Sequence, residues 1–189
     1  MQDLPPPGDH CNDVDVAYFT AVVARTGAAW RARDVEVDDA QTLDDLARTL
    51  RTVAVDDQPV LALVEHEDEW FAVVRVDGED DPRLFVSDLT AASHSSYGEL
   101  LASAADVDPE ADLDPVPPVE VVQDDEDDAP APLVPAVRTW AGEPDLLDDL
   151  GVSGSTLRTL VEENGDDPAA VLAEIGETVG LNELLEALR

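Results

Sequence analysis

Lysine is missing from this 189-residue chain: all ten basic residues are arginine, set against 45 Asp and Glu for a formal charge of −35. So few cations cannot supply the counterion release that drives nucleic-acid affinity, and the field of the chain repels phosphate backbones. Direct binding of RNA or DNA is therefore not expected, and neither is binding to an anionic membrane surface. Cysteine is nearly absent too. Cys11 alone makes an internal disulfide impossible, and with only His10, His66 and His94 beside it no zinc site of three or four converging ligands is in view. Apolar runs of the ~20 residues that span a bilayer are lacking. The opening MQDLPPPGDHCND has neither the basic nor the apolar stretch of an export signal, so a cytoplasmic location is expected.

Catalytic constellations are equally scarce. A nucleophile needs a base within reach, and the histidines fall in an N-terminal tail (His10), in a charged turn (His66) and in the run Ala91-Ala92-Ser93-His94-Ser95-Ser96 ahead of a helix. Ser and His in such a run read as capping, solvent-facing residues. Alternating acids at Asp106, Asp108, Glu110, Asp112 and Asp114 lack the glycine of a calcium loop and are broken by prolines. Gly151-Val152-Ser153-Gly154 has no following lysine and no preceding strand, so it is a turn between helices and not a phosphate cradle. No catalytic, cofactor-binding or metal-binding residue is nominated, and no enzyme activity is expected.

What the chain does contain is a folding centre. In PVLALVEHEDEWFAVVRVDG, Pro59 to Gly78, two apolar runs of strand length (Val60 to Val64, Trp70 to Val76) flank the charged break Glu65 to Glu69, the pattern of a hairpin through the middle of a sheet. Ahead of it, VAYFTAVVAR and Trp30 to Val37 flank a turn at Thr26-Gly27 and predict a first hairpin, with Arg31 and Arg33 on one face with Val35 and Val37. Leu43, Leu46, Ala47, Leu50 and Val53 recur at helical spacing behind the capping residue Thr42. A short strand follows at Arg83 to Asp88 and a closing helix at Tyr97 to Ala105. The order ββαβββα with short links predicts an α+β domain over residues 16–105, built on an antiparallel sheet of about five strands.

Outside that domain the composition changes. Residues 1–15, with Pro5-Pro6-Pro7 and almost nothing to bury, predict a disordered tail. Residues 106–143 hold seven of the fourteen prolines and the acidic run Asp124 to Asp128, and predict an extended, self-repelling acidic linker. Residues 144–189 predict a small helical domain: Pro144 and Pro168 stand where helices begin, and Gly151, Gly165 and Gly180 where they end. Its short helices make a marginal core alone, so docking on each other or on a partner is expected.

Between Tyr18 and Leu101, through YFTAVVARTGAAWRARDVEVDDAQTLDDLARTLRTVAVDDQPVLALVEHEDEWFAVVRVDGEDDPRLFVSD and then SSYGELL, the sequence resembles the tRNA adenosine deaminase-associated proteins of high-GC actinobacteria. Its ending, Leu146 to Arg189 with LLEALR, is similar to that family's helical tail, while residues 1–15 stand outside the family pattern. The resemblance implies a tRNA adenosine deaminase as partner and carries no catalytic residues with it. The zinc signature of such deaminases, H-x-E with P-C-x-x-C, is not here: His66 is followed by Glu67 and Asp68, and Cys11 has no second cysteine. Two readings stand at this point. One is a non-catalytic accessory protein that meets the deaminase through acidic surfaces; the other is an α+β scaffold that self-associates, for instance as a homodimer, with its acidity serving solubility.

Overall fold

The computed structural model describes residues 18–35, 37, 40–66, 68–105 and 139–188. The tail expected at 1–15 and residues 106–138 of the expected linker lie outside these.

Among the described residues six strands form one antiparallel sheet in the order β2-β1-β3-β4-β5-β6. They are β1 Tyr18–Thr26, β2 Ala29–Arg33, β3 Val60–His66, β4 Trp70–Val76, β5 Arg83–Val86 and β6 Ala141–Gly142. The expected α+β class and antiparallel sheet are found, with one strand more than expected. β3 and β4 pair at the centre from Val60↔Val76 to His66↔Trp70, as the apolar runs predict. The extra strand is the end of the expected linker. Ala141 and Gly142 pair with Val86 and Phe85, and Trp140 stacks on Phe85 at 5.7 Å between ring centroids. Gly142 has φ +90°, and a Cβ there would run into the Leu84 carbonyl, so only glycine lets the strand approach so closely.

Because side chains alternate along a strand, the sheet has two apolar faces. The first carries Val22, Ala24, Val60, Ala62, Val64, Trp70, Ala72, Val74 and Val86, covered by α1 Leu43–Arg51, α2 Leu89–Ala92 and α3 Ser96–Ala105. Helix α1 begins where Thr42 Oγ1 accepts the Asp45 N–H at 3.1 Å, and it buries Leu46, Ala47 and Leu50. Full burial of each leucine side chain contributes about 1.5–3 kcal/mol.

The second face carries Ala21, Val23, Leu61, Leu63, Phe71, Val73 and Phe85. It is covered by a 3-10 helix Pro144–Leu150 and by α4 Gly154–Asn164, α5 Pro168–Val179 and α6 Asn182–Leu188. The helices expected after residue 144 thus share a core with the sheet, through Leu146, Leu147, Leu157, Leu172 and Ile175. Gly151 (φ +101°) and Gly180 (φ +84°) close their helices in the left-handed conformation. Gly165 follows α4 in the right-handed region, so it ends that helix without the left-handed cap.

Candidate interaction surface

Of the three histidines, the described residues include His66 and His94. His66, expected in a charged turn, is instead the last residue of β3 and only 5% exposed. Two positions beyond Val64, it points to the first sheet face and stacks on Trp70, ring centroids 5.6 Å apart at 16°. Its Nδ1 lies 3.6 Å from Glu69 Oε2. His94 is exposed between α2 and α3. The hydroxyls around it face the backbone: Ser93 Oγ donates to the Thr90 carbonyl at 2.8 Å, and Ser95 Oγ bonds the Ala92 carbonyl and accepts the Gly98 N–H, each at 3.2 Å. His10 and Cys11 lie outside the described residues. Among the described residues no three His, Cys, Asp or Glu are grouped to hold a metal ion.

An open groove of about 670 Å³ runs between the start of α1 and α3, lined by Gln41, Thr42, Leu43, Tyr97, Glu99 and Leu100 among others. Its lining has neither histidine nor cysteine. The Thr42 hydroxyl is already committed, donating to Asp45 Oδ2 at 2.9 Å while capping α1. That bond comes first in lowering the Asp45 pKa, followed by the bond from Arg48. The groove therefore offers shape without a paired acid and base.

The polar centre of the molecule is Arg75. It is 5% exposed, on the second sheet face, and every N–H of its guanidinium has a partner. Nε and Nη2 hold Asp77 at 2.7 and 2.9 Å; Nη1 donates to the Leu146 carbonyl at 2.7 Å; Nη1 and Nη2 grip both oxygens of Asp149. Burial works against the charge, yet the bonds to Asp149 and Asp77 outweigh it and raise the Arg75 pKa above the ordinary guanidinium value. The bond from Arg75 in turn lowers the Asp149 pKa, against a smaller opposing effect of burial. This knot pins the 3-10 helix to the sheet. Sequence reading passed over it, although its signal is visible: one charge inside the apolar strand WFAVVRV demands buried partners. At the far side of the layer Trp30 Nε1 donates to the Val179 carbonyl at 3.2 Å, tying β2 to the end of α5.

With their apolar sides on the sheet, the C-terminal helices turn charge outward. From Asp145 to Glu186 there are eleven Asp and Glu, all of them exposed, and a single basic residue. That residue, Arg158, is half-buried and donates from Nε to the Gly154 carbonyl at 3.1 Å. The outer surface of this layer is therefore a broad anionic face held rigidly by packing, the second sheet face beneath it and solvent above. Such a face makes no bond by itself, but it attracts a cationic surface over roughly a Debye length, about 8 Å at physiological salt.

No curated protein and no solved structure matches the chain. A family model described as Rv3753c-like tRNA adenosine deaminase-associated protein matches residues 18–182, from the first strand to the start of the last helix, and the chain belongs to that family.

Proposed function

We propose that this protein is a non-catalytic accessory of a tRNA adenosine deaminase and binds it through the anionic face of the C-terminal helices. Membership of a deaminase-associated family supports the partner. The observation that carries the surface is the charge of the layer from Asp145 to Glu186, ten exposed acids besides Asp149, which Arg75 pairs, against one half-buried arginine. An enzyme that holds tRNA needs a cationic groove for its phosphates, and a rigid anionic face complements such a groove. Complementarity of this kind speeds encounter and makes the accessory a competitor of tRNA for the same cations.

The test is gel filtration of the two purified proteins, mixed at about 0.05 M and about 0.15 M salt. A complex at the lower concentration that weakens at the higher, and that added tRNA displaces, is the expected result. No complex at either concentration counts against the reading. A salt-indifferent homodimer of the accessory alone would favour a self-associating scaffold instead.

A further inference from the structure

The β1–β2 hairpin reverses the character of the rest of the chain. From Tyr18 to Arg33 it holds Arg25, Arg31 and Arg33 and not one Asp or Glu, and it lies in the longest acid-free run of a sequence with 45 acids. Charge placed for solubility alone would be acidic almost anywhere in this protein. Among the described residues no carboxylate comes within ion-pair distance of any of these three arginines. Arg25 instead lies over the Trp30 ring, 5.8 Å from its centroid.

These arginines flank an edge. Among the described residues β2 is the outermost strand of the sheet and pairs with β1 alone. The Arg25 N–H points the other way, to the Pro59 carbonyl at 3.0 Å, so the cross-strand pair Arg25↔Trp30 is a non-hydrogen-bonded one. By the same alternation Trp30 and Ala32 direct their N–H and C=O groups off the sheet. The Ala32 carbonyl has only a long 3.5 Å contact from the Arg33 side chain. Among the described residues only the Arg33 side chain reaches the outward backbone groups of Trp30 and Ala32, so a strand added here would pair with them, with Arg31 and Arg33 on one face beside it. A second copy of the chain pairing through the same edge would set arginine against arginine, which disfavours it. A strand with carboxylates at alternate positions meets them as ion pairs.

We infer that the β2 edge is a docking site for an extended acidic segment of a partner protein, taken up as a seventh strand through Trp30 and Ala32 and selected by Arg31 and Arg33. The same two side chains that bar self-pairing select the sign of the incoming strand. This surface is the sheet edge, which meets the helical layer only where Trp30 reaches the end of α5, and it does not depend on the deaminase reading. Phosphate polymers fit it less well, since the outward N–H and C=O groups at the edge match the backbone of a peptide and not a phosphate chain.

Fluorescence anisotropy of the full chain with a short labelled peptide alternating Glu and Val tests it. Saturable binding that weakens with salt is expected, at least ~10-fold tighter than for the Gln-for-Glu peptide or for the Glu peptide N-methylated at alternate backbone nitrogens. The double variant Arg31→Glu, Arg33→Glu should lose about tenfold in affinity. Ala32→Pro should keep the fold, because its N–H does not serve the β1–β2 ladder, and should abolish binding. If that variant fails to fold, the arginine pair decides alone. Equal binding of the N-methylated peptide, no saturable binding, or an unaltered affinity in the double arginine variant would overturn the inference, as would displacement of the peptide by tRNA from the same arginines.

Discussion

The two faces of the sheet are covered by different means. The first is closed by helices that follow their strands closely in sequence, and its interior is mainly apolar, with the His66 ring stacked on Trp70 and the buried polar atoms of Thr20, Trp70 and Tyr97 but no buried ion pair among the described residues like that of Arg75. The second is closed by helices that return only after residue 139, and beneath their apolar contacts lies a buried guanidinium with two carboxylates and a carbonyl around it. Apolar packing alone sets how much surface is hidden, with little to say about register. The directional bonds of Arg75 fix where the 3-10 helix must sit, and so the orientation of the anionic face above it. Helix α1 has polar ties as well, Arg51 donating to the Gly78 and Asp80 carbonyls at 3.0 and 2.8 Å, but the cover brought from afar is the one pinned by a buried charge, and it also carries the candidate binding surface.

Matched truncations on the two faces should break this comparison most severely. Leu46→Ala in α1 and Leu172→Ala in α5 each empty a fully buried site and are expected to cost roughly 2–5 kcal/mol in urea denaturation. If the two layers form one cooperative unit, both variants shift a single transition by similar amounts. Two transitions, with Leu172→Ala moving only one, would instead mark residues 144–189 as a unit that unfolds separately.

A smaller effect is expected at the knot. Arg75→Met keeps volume but strands Asp77, Asp149 and the Leu146 carbonyl. Removing one partner of a fully buried ion pair costs about 3–5 kcal/mol, and since the Asp149 side chain is 56% exposed the loss here should fall to about 2 kcal/mol. Hydrogen exchange should rise first in the 3-10 helix and α4, while α1 stays protected. Equal loosening of both layers would deny Arg75 its anchoring role.

The smallest change is a pH effect. The folded-state pKa of Asp149 lies below its ordinary 3.8, so its contribution is present above that value and is lost as pH falls through the depressed one. Asp149→Asn should therefore cost about 1 kcal/mol or less at neutral pH and flatten the stability profile below about pH 4. A variant profile that still falls as steeply as the parent's would assign acid sensitivity to other carboxylates.

Much of the first face was legible in the residues. Thr42 and the leucine spacing place α1, and the apolar runs of Pro59 to Gly78 place the central strands. β6 was not legible, since Ala141 and Gly142 are too few to show a period of two and lie behind a proline-rich stretch. The docking of the C-terminal helices had a signal that strand reading left unused. Val60 to Val64 and Trp70 to Val74 are apolar at every position, not alternately, and strands of that kind need cover on both faces. After α1 and α3 are spent on one face, only the helices beyond Pro144 remain for the other. His66 illustrates the converse: the acids that follow it suggested a solvated turn, while its parity with Val60, Ala62 and Val64 turns it inward.

The account stands or falls on the anionic face as the deaminase-binding surface. The most direct measurement is a calorimetric titration of purified tRNA adenosine deaminase with the parent protein and with a variant carrying Glu162→Gln, Glu163→Gln, Asp166→Asn, Asp167→Asn, Glu174→Gln and Glu177→Gln, all exposed positions that leave the core untouched. The account predicts saturable binding by the parent, salt-sensitive, and a loss of at least ~10-fold in affinity for the variant at equal stability. Equal affinity of the two proteins, or no binding by the parent at low salt, would contradict it.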